Sequence, residues 1–178
     1  MKNRERVVDF VVLHNIIYVV TNNVNIGVLS LKSASIKFIK LKSTPNDVKF
    51  SMYLNLVNCD EQLLVVYLPS KEIRNVYKID FSTMSYVKLK TLGDIALFSI
   101  RNGLKINYYA LSSADKWGYE SNCVYDINIF STICSVYSRD DEKLQKCITL
   151  PAPDETEGTR VDWCFRHLRY EVDYSLVE

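Results

Sequence analysis

The feature of this sequence that most constrains its fold is a repeat of short apolar segments, each about six residues long. The segments are rich in Val, Ile, Tyr, Phe and Thr and are separated by turn residues, a pattern typical of β-strands. Four segments fall within residues 7–41 and four more within residues 51–90. Leu31 and Phe81 occupy matching places in the two groups and are 50 residues apart. The chain is therefore built from repeated β units.

The repeat continues with less regular spacing. Leu41 and Leu89 also match, at a distance of 48 residues. A third group of four strands fills residues 95–149, and residues 104–109 add one further strand. Asn102-Gly103 lies between alternating apolar residues, so it predicts a tight hairpin, because glycine accepts the positive φ that such turns require.

A period of about 50 residues with four strands per unit is typical of β-propeller blades. A four-stranded sheet with two apolar faces cannot bury both by itself, so neighbouring sheets must pack against it. A sandwich or an open barrel is the alternative source of many short strands. Propellers close with about four to eight blades, so three units indicate a fragment, a truncated gene product or an incomplete array.

We therefore predict an all-β fold, a partial β-propeller-like array of about three four-stranded antiparallel blades. It forms a single domain over residues 1–178, with a tail at 150–178. No convincing amphipathic helix is predicted. Within the tail, residues 151–158 hold two prolines and a glycine and read as a loop, and residues 160–178 are expected to add a closing strand.

Composition excludes several classes of function. The chain has 178 residues with 22 Lys+Arg and 21 Asp+Glu, a net charge of +1, so neither nucleic acid nor an anionic membrane is expected as a partner. Neither a signal peptide nor an uninterrupted apolar stretch of membrane-spanning length is predicted. The five cysteines match neither a disulfide framework nor zinc-ligand spacing, so we predict reduced, buried thiols and a cytoplasmic or nuclear protein.

Residues for catalysis are scarce. His14, with Asn15, reads as a solvated hairpin turn, and Cys164 with His167 cannot complete a four-ligand zinc site. Asp140-Asp141-Glu142 reads as a solvated acidic turn rather than a weak cation site. We therefore predict no enzyme, no catalytic, cofactor-binding or metal-binding residues, and no cofactor.

The most specific motifs lie in residues 63–126. They are Val76-Tyr77-Lys78-Ile79-Asp80-Phe81, then Leu92-Gly93-Asp94-Ile95-Ala96-Leu97-Phe98, and finally Asn122-Cys123-Val124-Tyr125. In this order they resemble the plant F-box-associated domain of unknown function, also called the KIB-type β-propeller family. Residues 11–41 are similar to the preceding blade of that family.

The physical interpretation of these motifs is structural. Gly93-Asp94 is expected to form the turn between two blades, and residues 96–98 are expected to begin an inner strand of the next blade. Asp80 is expected either to accept hydrogen bonds in a turn or to be simply exposed. Each of these is a scaffold role.

The resemblance implies a role in protein binding. In this family the propeller usually follows an F-box that docks the Skp-type adaptor of a cullin ubiquitin ligase, and the propeller recruits the substrate. Some relatives instead bind and inhibit kinases. The 178 residues contain no Leu- and Pro-rich helical F-box, so adaptor binding is not carried over. Residues 126–128 also depart from the aromatic and acidic run that the family shows there.

We predict a non-enzymatic protein-interaction module whose partner contacts a loop at residues 111–121. Trp117 and Tyr119 are the expected anchors, flanked by Arg101 and Lys116, because large aromatic and basic side chains are favoured at interfaces. The alternative for both rings is that they pack the loop onto its own blade. The alternatives for the chain are a kinase-binding inhibitor-type propeller, or a truncated gene product with a structural or no independent role. Open edge strands would then favour self-association.

Overall fold

A computed structural model of the chain describes residues 5–45, 53–67, 75–102 and 105–150. Within these ranges thirteen β-strands form three sheets, so the predicted all-β, propeller-like fold is confirmed. The strands are β1 Val7–Leu13, β2 Ile16–Thr21, β3 Ile26–Ser30, β4 Ser35–Phe38, β5 Leu54–Cys59, β6 Gln62–Tyr67, β7 Asn75–Asp80, β8 Ser85–Lys88, β9 Ala96–Asn102, β10 Lys105–Leu111, β11 Cys123–Asn128, β12 Ile133–Ser138 and β13 Leu144–Thr149.

The first two sheets are simple antiparallel meanders, ordered β1-β2-β3-β4 and β5-β6-β7-β8. The hairpins form at residues that adopt the backbone conformations of tight turns. The predicted turn at His14-Asn15 is confirmed, with both residues at positive φ and both exposed. In the second sheet β5 continues through Cys59, so the turn there is only Asp60-Glu61.

The repeat is confirmed at the level of strand pairing. Leu29 pairs with Ile36 in the first sheet, and Ile79 pairs with Tyr86 in the second, a step of 50 for both partners. The match of Leu41 with Leu89 is wrong. The amide of Leu89 donates to the Val76 carbonyl at 2.8 Å, and the residue that makes this bond in the first sheet is Ile39, which donates to Ile26 at 2.8 Å. The step therefore remains 50.

The turns that close these repeats are also alike. Asp80 accepts hydrogen bonds from the amides of Ser82 (2.9 Å) and Thr83 (3.3 Å), as expected for a turn aspartate. Hydrogen bonds to the charged form hold the pKa of the Asp80 carboxyl well below its usual range. In the first sheet Ser30 takes the matching place and accepts from the amide of Ser33 at 3.4 Å.

The third sheet departs from the prediction. It has five strands in the order β10-β9-β11-β12-β13, and β9 runs parallel to β11. The strand expected as an addition, β10, lies at the inner edge, where it contacts β5 as β1 also does. Residues 96–98 begin β9, which lies between β10 and β11 and is therefore an inner strand of this sheet, as expected. The hairpin at Asn102 is confirmed by the pairing of Asn102 with Lys105, and residues 103–104 themselves lie outside the described ranges.

Two apolar layers join the three sheets. The layer between the first and second sheets contains Leu13, Val20 and Ile26 against Leu56, Val65 and Ile79, among others. The layer between the second and third sheets packs Val57, Leu64 and Val66 against Leu97, Tyr108 and Val124. In the second sheet, successive residues of a strand therefore pack against the first and the third sheet in turn. This burial on both faces is what the continuous apolar runs predict.

The expectations for the last part of the chain concern residues 151–178, which lie outside the described ranges. These include the loop at 151–158, the closing strand at 160–178, and the neighbours Cys164 and His167. None of the helical structure in the described part has the length and hydropathy that a bilayer-crossing helix requires.

Candidate functional site

The loop after β10 contains a single turn of 3-10 helix, Ala114–Trp117, which the sequence analysis did not predict. Left-handed backbone conformations bound it on both sides, with φ of 48° at Ser113 and 80° at Gly118. Glycine adopts this conformation without a steric cost, so Gly118 lets the chain reverse directly after Trp117. The loop therefore has a defined shape.

Asp94 anchors the start and the end of this loop. Its carboxylate accepts a hydrogen bond from the amide of Ser113 at 3.1 Å, and its carbonyl accepts from the amide of Ala114 at 3.0 Å. The same carbonyl accepts from the hydroxyl of Ser121 at 3.3 Å. Gly93, directly before it, has a φ of 64°, which favours glycine. The turn expected at Gly93-Asp94 thus also holds the candidate loop.

Asn122 secures the segment that precedes Asp94. Its side-chain oxygen accepts hydrogen bonds from the Leu92 amide (2.8 Å) and the Thr91 hydroxyl (2.9 Å). Its side-chain nitrogen donates to Asp140 at 2.7 Å, and its amide donates to the carbonyl of Ile95 at 2.9 Å. One asparagine therefore connects the link between the second and third sheets to the β12–β13 turn.

Tyr119 packs the loop onto the third sheet. Its ring lies edge-on to Phe98, with centroids 4.9 Å apart, and edge-on to Tyr125 at 5.5 Å. Phe98 and Tyr125 are themselves stacked at 4.9 Å. Tyr119 is half-buried in this cluster. Its ring therefore packs the loop onto its own blade, which was the alternative to partner binding.

Trp117 and Lys116 lie on the exposed side of the same helical turn. Trp117 is 49% exposed, and Lys116 is exposed as well. The structure therefore brings these two predicted residues together on a loop whose base is fixed by Asp94 and Tyr119. A half-exposed ring on a backbone of defined shape has little conformational entropy to lose on binding.

Arg101 does not flank this surface, and that part of the prediction is wrong. The loop follows Leu111, which pairs with Ala96 at the beginning of β9. Arg101 is five residues further along β9, about 17 Å away at the rise of an extended strand. There it forms an ion pair with Asp126 at 3.4 Å. The alternation of side chains along a strand predicts the face of the sheet on which Arg101 lies. It does not predict the end of the sheet at which the loop lies.

A family model described as the KIB1-4 β-propeller matches residues 1–149. The chain belongs to this family. No curated protein matches the sequence significantly. The β-propeller of this family is typical of non-catalytic interaction domains, and the described residues include no group of three or more His, Cys, Asp or Glu side chains that could hold a metal ion.

The thiols of the KIB-type propeller are suited to packing. Cys59, Cys123 and Cys134 are buried, as predicted, whereas Cys147 is exposed, so the prediction of burial is wrong for that residue. Burial, with a smaller effect of the Asp60 charge, raises the pKa of Cys59 to about 12. Burial raises the pKa of Cys134 to about 11. Both thiols therefore stay protonated at neutral pH and are poor nucleophiles.

The acidic turn of the KIB-type propeller also has structural partners. Asp140, Asp141 and Glu142 are exposed, in agreement with the prediction of a solvated turn. Glu142 accepts from the buried Arg139 guanidinium at 2.6 Å, which in turn reaches the carbonyl of Leu89 at 3.4 Å. Together with the Asn122–Asp140 bond, these contacts tie the turn to the second sheet.

The roles of Asn122 and Arg139 were not predicted from the sequence. Asn122 adopts a φ of 57°, and asparagine is among the few residues that favour this conformation, so an asparagine directly before a strand was the available signal. Asn122 also begins the motif Asn122-Cys123-Val124-Tyr125, whereas Arg139 lies outside the motifs. The family motifs thus hold the loop that carries Trp117.

Proposed function

We propose that this KIB-type propeller is a non-enzymatic protein-interaction module that binds a protein partner through Trp117 and Lys116. The observation that carries the proposal is the exposure of Trp117 on a loop whose backbone is fixed from both ends. Tryptophan is among the residues most enriched in binding hot spots, and a rigid loop on a packed scaffold is a frequent position for them. Tyr119 supports the loop from below.

The finer role proposed is recognition of a substrate protein, as in the propellers of F-box ubiquitin-ligase components. The family resemblance supports this role. A kinase-binding, inhibitor-type propeller would use the same exposed loop, and the identity of the bound protein distinguishes the two roles. Neither substrate recognition nor kinase binding requires a contact between the Skp-type adaptor and the loop that carries Trp117.

Replacing Trp117 tests the proposal. Trp117→Ala should weaken binding of a purified partner by about 2 kcal/mol or more, because truncating a hot-spot ring removes most of its contact area. The partner is first captured from a cell extract with the tagged 178-residue chain, and its affinity is then measured by calorimetry with wild-type and variant proteins.

Phe130→Ala is the matched control. Phe130 is also aromatic and 82% exposed, but it lies after β11, at the end of the third sheet opposite to Trp117. Its replacement should leave the affinity unchanged. Equal losses for Phe130→Ala and Trp117→Ala, or no loss for Trp117→Ala, would refute the proposal. Concentration-dependent aggregation without any captured partner would instead support a truncated product without an independent role.

A further inference from the structure

The chain has a net charge of +1, but its charges are unevenly distributed. Residues 26–45 form β3, β4 and the segment that follows them, and they contain four lysines and no acidic residue. These lysines, Lys32, Lys37, Lys40 and Lys42, are all exposed. Positive charge is therefore concentrated at the outer edge of the first sheet.

Residues 39–42, the crossing segment, run from the first sheet to the second. The amide of Ile39 donates to a carbonyl of β3, and the amide of Lys42 donates to the turn between β7 and β8, both at 2.8 Å. Ile39 and Leu41 pack against the apolar layer between the two sheets, whereas Lys40 and Lys42 are exposed. This alternation is that of an extended chain, so Lys40 and Lys42 lie on the same side, with Cα atoms about 6–7 Å apart.

The two sheets each place one more lysine at this crossing. Lys37 on β4 continues the row of Val28 and Tyr18, and Tyr18 packs against the layer between the first and second sheets. Lys88 on β8 pairs with Tyr77 of that layer, and its Nζ lies 5.9 Å from the centroid of the Tyr77 ring. Because β4 and β8 are the outermost strands of their sheets, Lys37 lies at the outer end of the layer, beside the crossing segment.

We call Lys37, Lys40 and Lys42 the lysine rim. No ion pair joins the ammonium group of any of the three to a described residue. Like charges this close repel one another, and the repulsion is relieved when an anionic group lies between them. The rim therefore favours an anionic occupant.

One acidic residue, Asp80, lies in the described segments that border the rim, residues 26–45 and 75–92. Its carboxylate accepts hydrogen bonds from the Ser82 hydroxyl at 2.6 Å and from the amides of Ser82 and Thr83. These bonds hold the carboxylate within its own turn. Even with this charge included, the surface keeps an excess of positive charge.

We propose that the lysine rim binds an acidic segment of a partner protein in an extended conformation. Alternate residues of an extended segment lie on one side at a repeat of about 6–7 Å, which equals the spacing of Lys40 and Lys42. Nucleic acid is less suited to the rim, because its binding depends on many phosphate contacts, on the order of 6–10. The rim is separate from the loop that carries Trp117 and adds a second protein-binding surface to the proposed function.

A blocked peptide of about four Ser-Glu repeats tests the proposal on the intact 178-residue chain. The control peptide has Gln in place of Glu, and binding is followed by two-dimensional NMR of the labelled protein. The Glu peptide should shift the amide signals of residues 37–42, and the Gln peptide should not. Equal shifts with the Gln peptide, or no shifts at millimolar peptide, would overturn the proposal.

Lys40→Gln and Lys42→Gln are the matched variants. Each should bind the Glu peptide about fivefold more weakly, the factor expected from one unit charge at about 4 Å in water. The fold is retained, because both side chains are exposed and residue 42 is held through its backbone amide. Lys42→Arg keeps the charge and should keep the affinity.

Lys143→Gln controls for general attraction between the peptide and a basic protein. Lys143 is 77% exposed in the turn between β12 and β13 of the third sheet, away from the rim. Its replacement should leave the affinity for the Glu peptide unchanged. A loss equal to that of Lys40→Gln would show that the rim has no special role and would contradict the proposal.

Two further arms test other occupants. A thymidine oligonucleotide with the same number of charges should bind more weakly than the Glu peptide, and tighter binding would identify a nucleic-acid surface instead. Residues 154–178 hold seven acidic residues against three Lys and Arg. Neutralising Asp154, Glu155 and Glu157 should leave the peptide affinity unchanged, whereas a gain in affinity would show that the chain's own acidic residues occupy the rim.

Trp117→Ala should leave binding of the Glu peptide unaltered. The two surfaces are thus tested by different ligands and different variants. Failure of the peptide experiment would refute the lysine rim alone, and the Trp117 loop would still be judged by the loss of its captured partner.

Discussion

The outer faces of the first and third sheets differ in what covers them. In the first sheet, strand pairing places eight residues on the face opposite the second sheet, and none of them belongs to an apolar cluster of the described residues: Phe10, Val12, Ile17, Val19, Gly27, Leu29, Ile36 and Phe38. Apart from Gly27, all of them have apolar side chains. On the third sheet Phe98, Tyr125 and Val136 face outward in the same sense, yet each is at most 3% exposed.

The difference comes from residues outside the strands, most of them in the loop after β10. Ala114 and Tyr119, together with Leu150, pack over the outer face of the third sheet. On the first sheet Phe10, Val12 and Phe38 are 64, 51 and 46% exposed. The matching face of the second sheet, with Leu56, is covered by the first sheet. In this repeat the face of a sheet can therefore be covered either by a neighbouring sheet or by a loop.

The largest expected contrast is between two phenylalanines on these faces. Phe98→Ala should lower the free energy of unfolding by about 3–5 kcal/mol, because it leaves a cavity beside Tyr119 and Tyr125. Phe10→Ala should change it by less than about 1 kcal/mol, since the Phe10 ring is mostly in water. Urea unfolding followed by circular dichroism measures both. Similar losses for the two variants would break the comparison.

A smaller effect is expected when the cover itself is cut back. Tyr119→Ala should cost about 2 kcal/mol through the loss of two edge-on ring contacts and part of the apolar cover. The outer face of the third sheet should then bind the dye ANS, as exposed apolar surface does. Tyr119→Phe is the control, because it keeps the ring and should keep both stability and low dye binding. Unchanged dye binding in Tyr119→Ala would show that the loop is not the cover.

The smallest effect on stability is expected at the face that is already exposed. Phe38→Ser, on the four-residue edge strand β4, should change the free energy of unfolding by less than about 1 kcal/mol. It should lower ANS binding and reduce concentration-dependent self-association in light scattering, because it removes a large apolar side chain from the exposed face. Phe130 is more exposed than Phe38 but lies in the turn between β11 and β12, away from the first sheet, so Phe130→Ala should leave self-association unchanged. Equal effects of the two variants would argue against a special role of the first sheet's outer face.

Much of the fold could be predicted because its causes are local. The turn at His14-Asn15, the hairpin at Asn102 and the 50-residue repeat all follow from nearby residues and alternation of apolar side chains. The position of β10 could not be predicted in this way. Alternation shows which side chains share a face, but the order of strands in a sheet depends on contacts between distant residues, such as the pairing of Leu97 with Val124.

The candidate site could be predicted only in part. Trp117, Lys116 and Tyr119 were found because aromatic residues beside a glycine are conspicuous in a predicted loop. Arg101 was assigned to the same surface because the end of the sheet that the loop occupies was not known. The sequence does not predict that Trp117 is exposed while Tyr119 is packed. This difference depends on the contact between the rings of Tyr119 and Phe98, which are distant in sequence.

Because β9 and β11 are parallel neighbours, the Trp117 loop is also a crossover connection, which links β10 to β11 across β9. The chain leaves β10 on one side of β9 and must return on the other, a span of two strand spacings or about 10 Å. About three extended residues would bridge that distance, whereas residues 112–122 are available for it. Most of this segment is surplus to connectivity. Its length and sequence can therefore diverge between related chains without altering the sheet, provided that the anchors at Asp94 and Asn122 are kept.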